Sequence, residues 1–452
     1  MKRLTYAVLL AELVLGPAPA RAEEPEPRPV PDYDGRGDDP TTAGDVALWV
    51  PRLLLSPLYL VSEFVIRRPI GWLVTTAERE QVPEALLSFF QFGPNNEIAI
   101  VPTALIDLGF EPSVGIYARW NDFVTGGNKL RLHFATWGPD WLRVTLADRY
   151  EWNDENNRVQ LRGEFTRRPD GLYYGTGLDN DEDNVSRYQY ELLEAVLSFD
   201  SEFWRASSFR VAARVRTMEF SSNDTCCDED PVGERVDDGE LRDRFGDPLG
   251  LPPGFAGYSL YAQGLRLIVD TRRERPHPGS GVRFGFDGEY AFDLEDPLSR
   301  RWVRYGAAAG AFIDLNGLDR VLHLGVLAVM ITPIDGEVPF TELVDLGDVG
   351  PLKGFIQGWV IGESAAAAML EYTWPVWVWL DAAIHVAIGN AFGRDFAGFD
   401  VEAGRVSTGF GLRSIDERDH GFVLQLAFGS EPLRDGGNLD TVRLVFGANR
   451  VF

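Results

Sequence analysis

The side chains of this chain that could do chemistry are few and far apart. Ser407 falls on the inward face of one alternating stretch and His420 begins the next, the pair of residue types that a nucleophile and its general base would supply. Shared face is all that joins them. No G-x-S-x-G elbow, H-E-x-x-H pair or P-loop occurs and the chain holds only 5 His, so it is not expected to be an enzyme. Cys226 and Cys227, its only 2 Cys, are adjacent: in an oxidising compartment they would either close a vicinal disulfide or stay unpaired. No histidine lies near them, which disfavours zinc. Ser222 to Asp247 carries ten Asp/Glu against Arg235, Arg242 and Arg244, and Leu178 to Asn184 reads LDNDEDN. Such carboxylates can recruit Ca²⁺ or Mg²⁺, but no spacing matches an EF-hand loop or a nonapeptide repeat, so solvated acidic loops are the simpler reading. No cofactor and no resident metal are expected, and a formal net charge of −26 argues against a nucleic-acid partner.

The elements that must carry these residues are strands. Thr441 to Phe452 reads TVRLVFGANRVF, with Val442, Leu444, Phe446, Ala448 and Phe452 on one face, and Arg443, Val445, Gly447 and Asn449 on the other. A final strand with an oily side must have its edge covered, most simply by pairing back onto the first strand of a closed barrel. The same alternation recurs in Val282 to Phe292, where Phe284, Phe286 and Tyr290 oppose Arg283, Asp287 and Glu289. It recurs again where Val159, Leu161 and Phe165 oppose Gln160, Arg162 and Glu164. One oily face and one polar or small face suit lipid outside and a wet lumen inside.

The N-terminus and the composition agree. Lys2 and Arg3, the apolar Leu4 to Leu15 and the small-residue site around Ala20-Arg21-Ala22 have the layout of a cleavable secretory signal over residues 1–22. The apolar run is too short to cross about 30 Å of hydrocarbon. With 12 Trp, 14 Tyr, 28 Phe and 47 Gly, the chain has the aromatic and glycine richness that interfacial girdles and curved strands need. Beyond the signal no apolar run of about 18 residues occurs, which leaves a closed barrel as the way to satisfy backbone groups in lipid.

Candidate strands fall near 97–109, 113–122, 128–137, 141–151, 157–166, 170–177, 185–200, 204–219, 257–270, 280–293, 300–315, 320–332, 364–374, 379–390, 405–413, 420–429 and 441–452. A bacterial barrel with both termini on one side needs an even number, and the glycine-rich piece from Gly171 to Gly177 is the one to discard as a loop or bulge. The fold expected is thus all-β: a transmembrane antiparallel barrel of about sixteen strands over residues 95–452. Ahead of it, residues 23–45 are acidic and proline-rich, a disordered tether. Residues 46–94 read as short helices split at Pro51, Pro57, Pro69 and Pro83, packed at the periplasmic rim as the simplest placement, with the membrane interface or a partial plug of the lumen as alternatives.

Four blocks carry a family resemblance. Asp270-Thr271-Arg272, followed by Pro278 and Gly281, resembles a strand-turn signature of the bacterial surface-antigen family, the BamA/TamA type of outer-membrane assembly barrel. Pro351-Leu352-Lys353-Gly354-Phe355 with Ser364 to Pro375, Gly389-Asn390-Ala391-Phe392, and Gly409 to Arg413 are similar to that family's later blocks, in the same order, up to a terminal Phe452 that reads as the barrel's C-terminal signal. The resemblance implies sixteen strands and a sixth extracellular loop folded into the lumen. Lys353 stands where the family's loop carries arginine, a point charge in place of a bidentate fork, and Glu371 on the inward face is its natural partner. Ala387 stands where an inward aspartate is usual, with His385 beside it on the same face, so the loop lock of Lys353, Gly354, Phe355 and Glu371 is thinner than the family's. POTRA modules, which receive client strands by edge pairing, are not expected in the residues before the barrel.

What the resemblance implies for function is a role in outer-membrane protein assembly, insertion or translocation through a laterally opening barrel, with client outer-membrane proteins as partners. The alternatives are a passive channel or structural surface barrel that lost this activity, and a barrel-embedded hydrolase using Ser407. Location in the bacterial outer membrane would bring contact with lipid and lipopolysaccharide, whose phosphates divalent cations could bridge to the acidic loops.

Overall fold

The computed structural model describes Phe64 and residues 89–222, 226–273, 279–315, 317–377, 380–414 and 421–449. The signal, the tether, the proline-split helices, Pro278, His420 and Phe452 lie outside the described residues, apart from Phe64 and the last few positions before the barrel.

Sixteen antiparallel strands close into a barrel. In chain order they are β1 (Ile98–Asp107), β2 (Ser113–Asn121), β3 (Asn128–Thr136), β4 (Leu142–Trp152), β5 (Asn157–Tyr173), β6 (Ser186–Trp204), β7 (Ser207–Ser221) and β8 (Tyr258–Asp270). There follow β9 (Gly281–Asp293), β10 (Arg301–Asp314), β11 (Val321–Asp335), β12 (Ser364–Trp377), β13 (Leu380–Phe392), β14 (Arg405–Ser414), β15 (Gly421–Pro432) and β16 (Leu439–Asn449). Each pairs with its sequence neighbours, and β16 pairs with β1. The pieces expected at 157–166 and 170–177 are one strand, β5: Pro169 cannot donate to a ladder, and a bulge between Arg168 and Gly171 lets pairing with β6 resume beyond it.

The alternation sorts as a barrel requires. Val282, Phe284, Phe286, Leu324, Val326, Val442 and Phe446 point out and stay exposed, while Trp120, Trp137, Trp152 and Trp204 sit exposed at or just beyond strand ends, where girdle aromatics belong. Among the described residues no helix is long and apolar enough to cross a membrane.

The lumen departs from the wet interior expected. In its long-loop half, the loop 336–363 folds inward, and its Leu346, Leu352, Phe355 and Val360 form a dry core with Leu172, Leu260, Trp302 and Ile331 of the wall. Withdrawing each such side chain from water is worth about 1.5–3 kcal/mol, which a polar lumen could not supply. Alternation reports which side chains face in; it does not report that a distant loop will cover them.

Candidate functional site

Glycine and charge build the loop's seat. At the tip, Lys353 Nζ donates to Glu371 Oε2 on β12 at 2.7 Å, and Arg413 of β14 holds the other carboxylate oxygen at 3.2 Å. The Gly354 N–H donates to Ser407 Oγ (2.8 Å), while its carbonyl accepts from Thr441 Oγ1 of β16 (2.6 Å). A Cβ at Gly354 would lie 2.3 Å from the Phe428 carbonyl, so only glycine lets the tip approach the wall this closely. Phe355 is fully buried, set edge-on to Trp359 and under the Arg405 guanidinium. Ser407, the residue considered as a nucleophile, is fully buried and committed to this tip. Ala387 is buried, and buried His385 beside it has no partner for Nε2 among the described residues.

The family-like turn between β8 and β9 is braced separately. Arg272 forks onto buried Asp270 (2.7 and 3.0 Å) and stacks over Phe312, while Thr271 Oγ1 accepts the Val282 N–H at 2.9 Å. At Gly281 a Cβ would come within 2.7 Å of both Arg272 and Thr271. These contacts fix a turn on the short-turn side of the barrel.

Further anchors of the loop carry no sequence signature. Glu342 accepts from Arg214 (3.0 Å) and Arg216 (2.6 Å) of β7 and from the Tyr258 hydroxyl (2.9 Å). Burial by itself would raise this carboxyl, and the two guanidinium groups overturn that, holding it down at about 2. From there ion pairs step along the wall: Arg216 to Glu194, Glu194 to Arg162, Arg162 to Glu164, and Glu164 to Arg143. Within the loop, half-buried Asp345 accepts the N–H groups of Gly347 (2.8 Å) and Gly358 (2.7 Å). Burial pushes Asp345 up to about 6 against those two hydrogen bonds, with Asp348 nearby adding to the rise.

The barrel's seam is the second part of the site. Among the described residues three pairs join β16 to β1: Val445 with Asp107, Phe446 with Ile106, and Gly447 with Leu105, whereas β15 and β16 share ten. Gly447 has φ of +148° and lies against the Ala104 carbonyl, a conformation and closeness that a side chain would prevent. Arg443, 3% exposed, bolts the seam with a fork onto Asp107 (2.9 and 2.6 Å). The same guanidinium donates to Asp348 of the inward loop at 2.6 Å. Ile356 of that loop also sits against Gly109, just past β1. The loop therefore touches both sides of the seam.

The chain's fold is similar to that of BamA. A structure of BamA from Haemophilus ducreyi lacking POTRA domains 1–3 matches over 78% of this chain and 70% of that one, with a TM-score of 0.53 and 13% identity. CdiB from Acinetobacter baumannii (12% identity, TM-score 0.47) and CdiB from Escherichia coli (10%, 0.49) match over 78% and 77% of this chain, which spans 60% and 62% of their lengths. No family model matches the chain, and no curated protein matches it. At such identities the likeness is one of fold.

The acidic loops pack on each other. Arg235 donates to the Val185 and Asp183 carbonyls, the Arg242 N–H donates to Asn184 Oδ1 at 2.9 Å, and the Arg244 N–H donates to Asp179 Oδ1 at 3.2 Å. Cys226 and Cys227 are joined in a disulfide. They stand beside Glu111 as the one grouping of metal-ligating residue types among the described residues, but bonded sulfurs offer no thiolate.

Proposed function

We propose that the chain is an outer-membrane barrel whose β1–β16 seam opens laterally to pass or insert other polypeptides, with the loop 336–363 as its internal strap. The observation that carries this reading is the seam itself: among the described residues it has three residue pairs and one arginine bolt, where β15 and β16 share ten pairs. A strand edge freed there can pair with an incoming strand, the mode of recognition that an opened sheet offers. The fold likeness to BamA supports the reading at the level of architecture. The reading as a passive channel fares less well, because the apolar cluster of Leu346, Leu352, Phe355 and Val360 fills part of the barrel's long-loop half.

The test is a seam lock. Ile106 and Phe446 stand opposite each other, so Ile106→Cys with Phe446→Cys can be joined by oxidation. Cells carrying only the locked protein should lose particular outer-membrane proteins, as a knockout should, and recover them on reduction. Unchanged outer-membrane proteomes in both locked and knockout cells would reject the reading.

A further inference from the structure

The first strand has two edges, and the pairing on each can be followed residue by residue. On one edge β1 is zipped to β2 without a break, from Ile98 opposite Trp120 to Leu105 opposite Ser113. On the other, the seam edge, Leu105, Ile106 and Asp107 pair with β16. Ile98 and Ala99 have second partners too: Phe92 and Gln91, antiparallel to them across a tight reversal at Gly93–Asn96. The β2 side of Ile98 and Ala99 is already taken by Trp120 and Arg119, so Gln91–Phe92 must lie along the seam edge. Between these two covers, Ile100 to Ala104 have no strand partner on that edge among the described residues.

Pro102 sits in the middle of this gap and pairs with Ile116 on the β2 side. A proline is tolerated in a ladder only where its missing N–H would point away from it, so the lost donor faces the seam. The acceptor edge is thus closed at its top by β16, blunted at its centre by Pro102 and covered at its foot by a strand from the chain itself. These are the devices by which sheets protect an exposed edge.

We infer that Gln91–Phe92 is a resident surrogate strand that must leave before another chain can pair along the whole seam edge of β1, Ile98 and Ala99 included. This rests on the lateral-opening reading and adds a regulator to it: the segment just ahead of the barrel sets access to the edge. The partner that competes for the position is an extended strand of a few residues, running antiparallel to β1 with a donor for the Pro102 carbonyl, and no acceptor that needs satisfying, opposite Pro102.

The test uses the full chain with Cys226→Ser and Cys227→Ser, so that only introduced thiols respond to redox. The probe is a synthetic peptide of residues 441–452 of this chain bearing a photo-cross-linker, and the readout is its yield on the barrel. Gln91→Pro with Phe92→Pro removes the surrogate's ladder donors and should raise capture roughly fivefold, because apparent affinity scales with the fraction of barrels whose edge is free. Gln91→Cys with Ala99→Cys stand opposite each other. Oxidised, they should lower capture to the level of a scrambled peptide, and reductant should restore it. Heat-modifiable migration on gels identifies barrels that folded. Equal capture in the proline variant, the locked variant and the parent overturns the inference. If capture responds as expected while the Ile106–Phe446 lock leaves the proteome intact, the surrogate strand stands and lateral opening falls. If the lock acts but capture does not respond, the reverse holds.

Discussion

Arg443→Ala should unfasten the seam while leaving the rest of the barrel zipped. The guanidinium is 3% exposed and makes a fork onto Asp107 and a further bond to Asp348. Breaking a fully buried pair costs about 3–5 kcal/mol, but Asp107 and Asp348 are 14% and 34% exposed, and water can partly take the arginine's place. A loss of about 2–3 kcal/mol follows. The seam's three described residue pairs contribute about 1 kcal/mol per backbone hydrogen bond, so the bolt is comparable to those pairs together. Its loss should raise the open-to-closed ratio about 30- to 150-fold. The measurement is the rate and yield of disulfide formation between Ile106→Cys and Phe446→Cys, which need the closed seam, together with the urea midpoint of barrel unfolding. Arg443→Lys should fall between, since it keeps the charge and loses the fork. If Arg443→Ala left both the cross-link yield and the midpoint unchanged, the seam would be held by something other than this bolt.

Other expectations concern the loop. Gly354→Ala places a Cβ against the Phe428 carbonyl and should cost about 1–3 kcal/mol, read as faster proteolysis within 336–363. Lys353→Ala leaves buried Glu371 with Arg413 as its remaining ion-pair partner among the described residues and should lower stability by about 1–2 kcal/mol in urea, while Lys353→Arg restores it. Asp345 binds its proton more tightly folded (about 6) than its ordinary 3.8, so its contribution to loop docking is full below about pH 4 and is lost as pH rises through 6. Hydrogen exchange in 336–363 should accordingly quicken between pH 5 and 7, and Asp345→Asn should flatten that change. Glu342, held at about 2, has the opposite sign: its contribution is present above about pH 4.5 and fades as pH falls towards 2, so Glu342→Gln should remove that acid sensitivity.

What was legible beforehand follows from range. The oily alternation of Val442, Leu444 and Phe446 is written within one strand, and such patterns placed the barrel's strands to within a few residues at their ends. Pro169 disguised β5 as two pieces, because a bulge spends its irregularity locally and the ladder then continues. The tip residues Lys353, Gly354, Phe355 and Glu371 were marked by a motif. Glu342, Asp348 and Arg443 were not, since a carboxylate in an acidic chain announces nothing about which guanidinium lies across a lumen.

By itself the sequence determined a closed β-structure with an oily outside, because side-chain period and strand count depend only on neighbours along the chain. Only the tertiary structure decided that the long-loop half of the lumen is dry and that Arg443 meets Asp107 across 336 residues of sequence. It alone decided, too, that Gln91 and Phe92 lie on the seam edge of β1. Closure of the cylinder creates those encounters, and no local pattern can encode a partner that closure alone brings near.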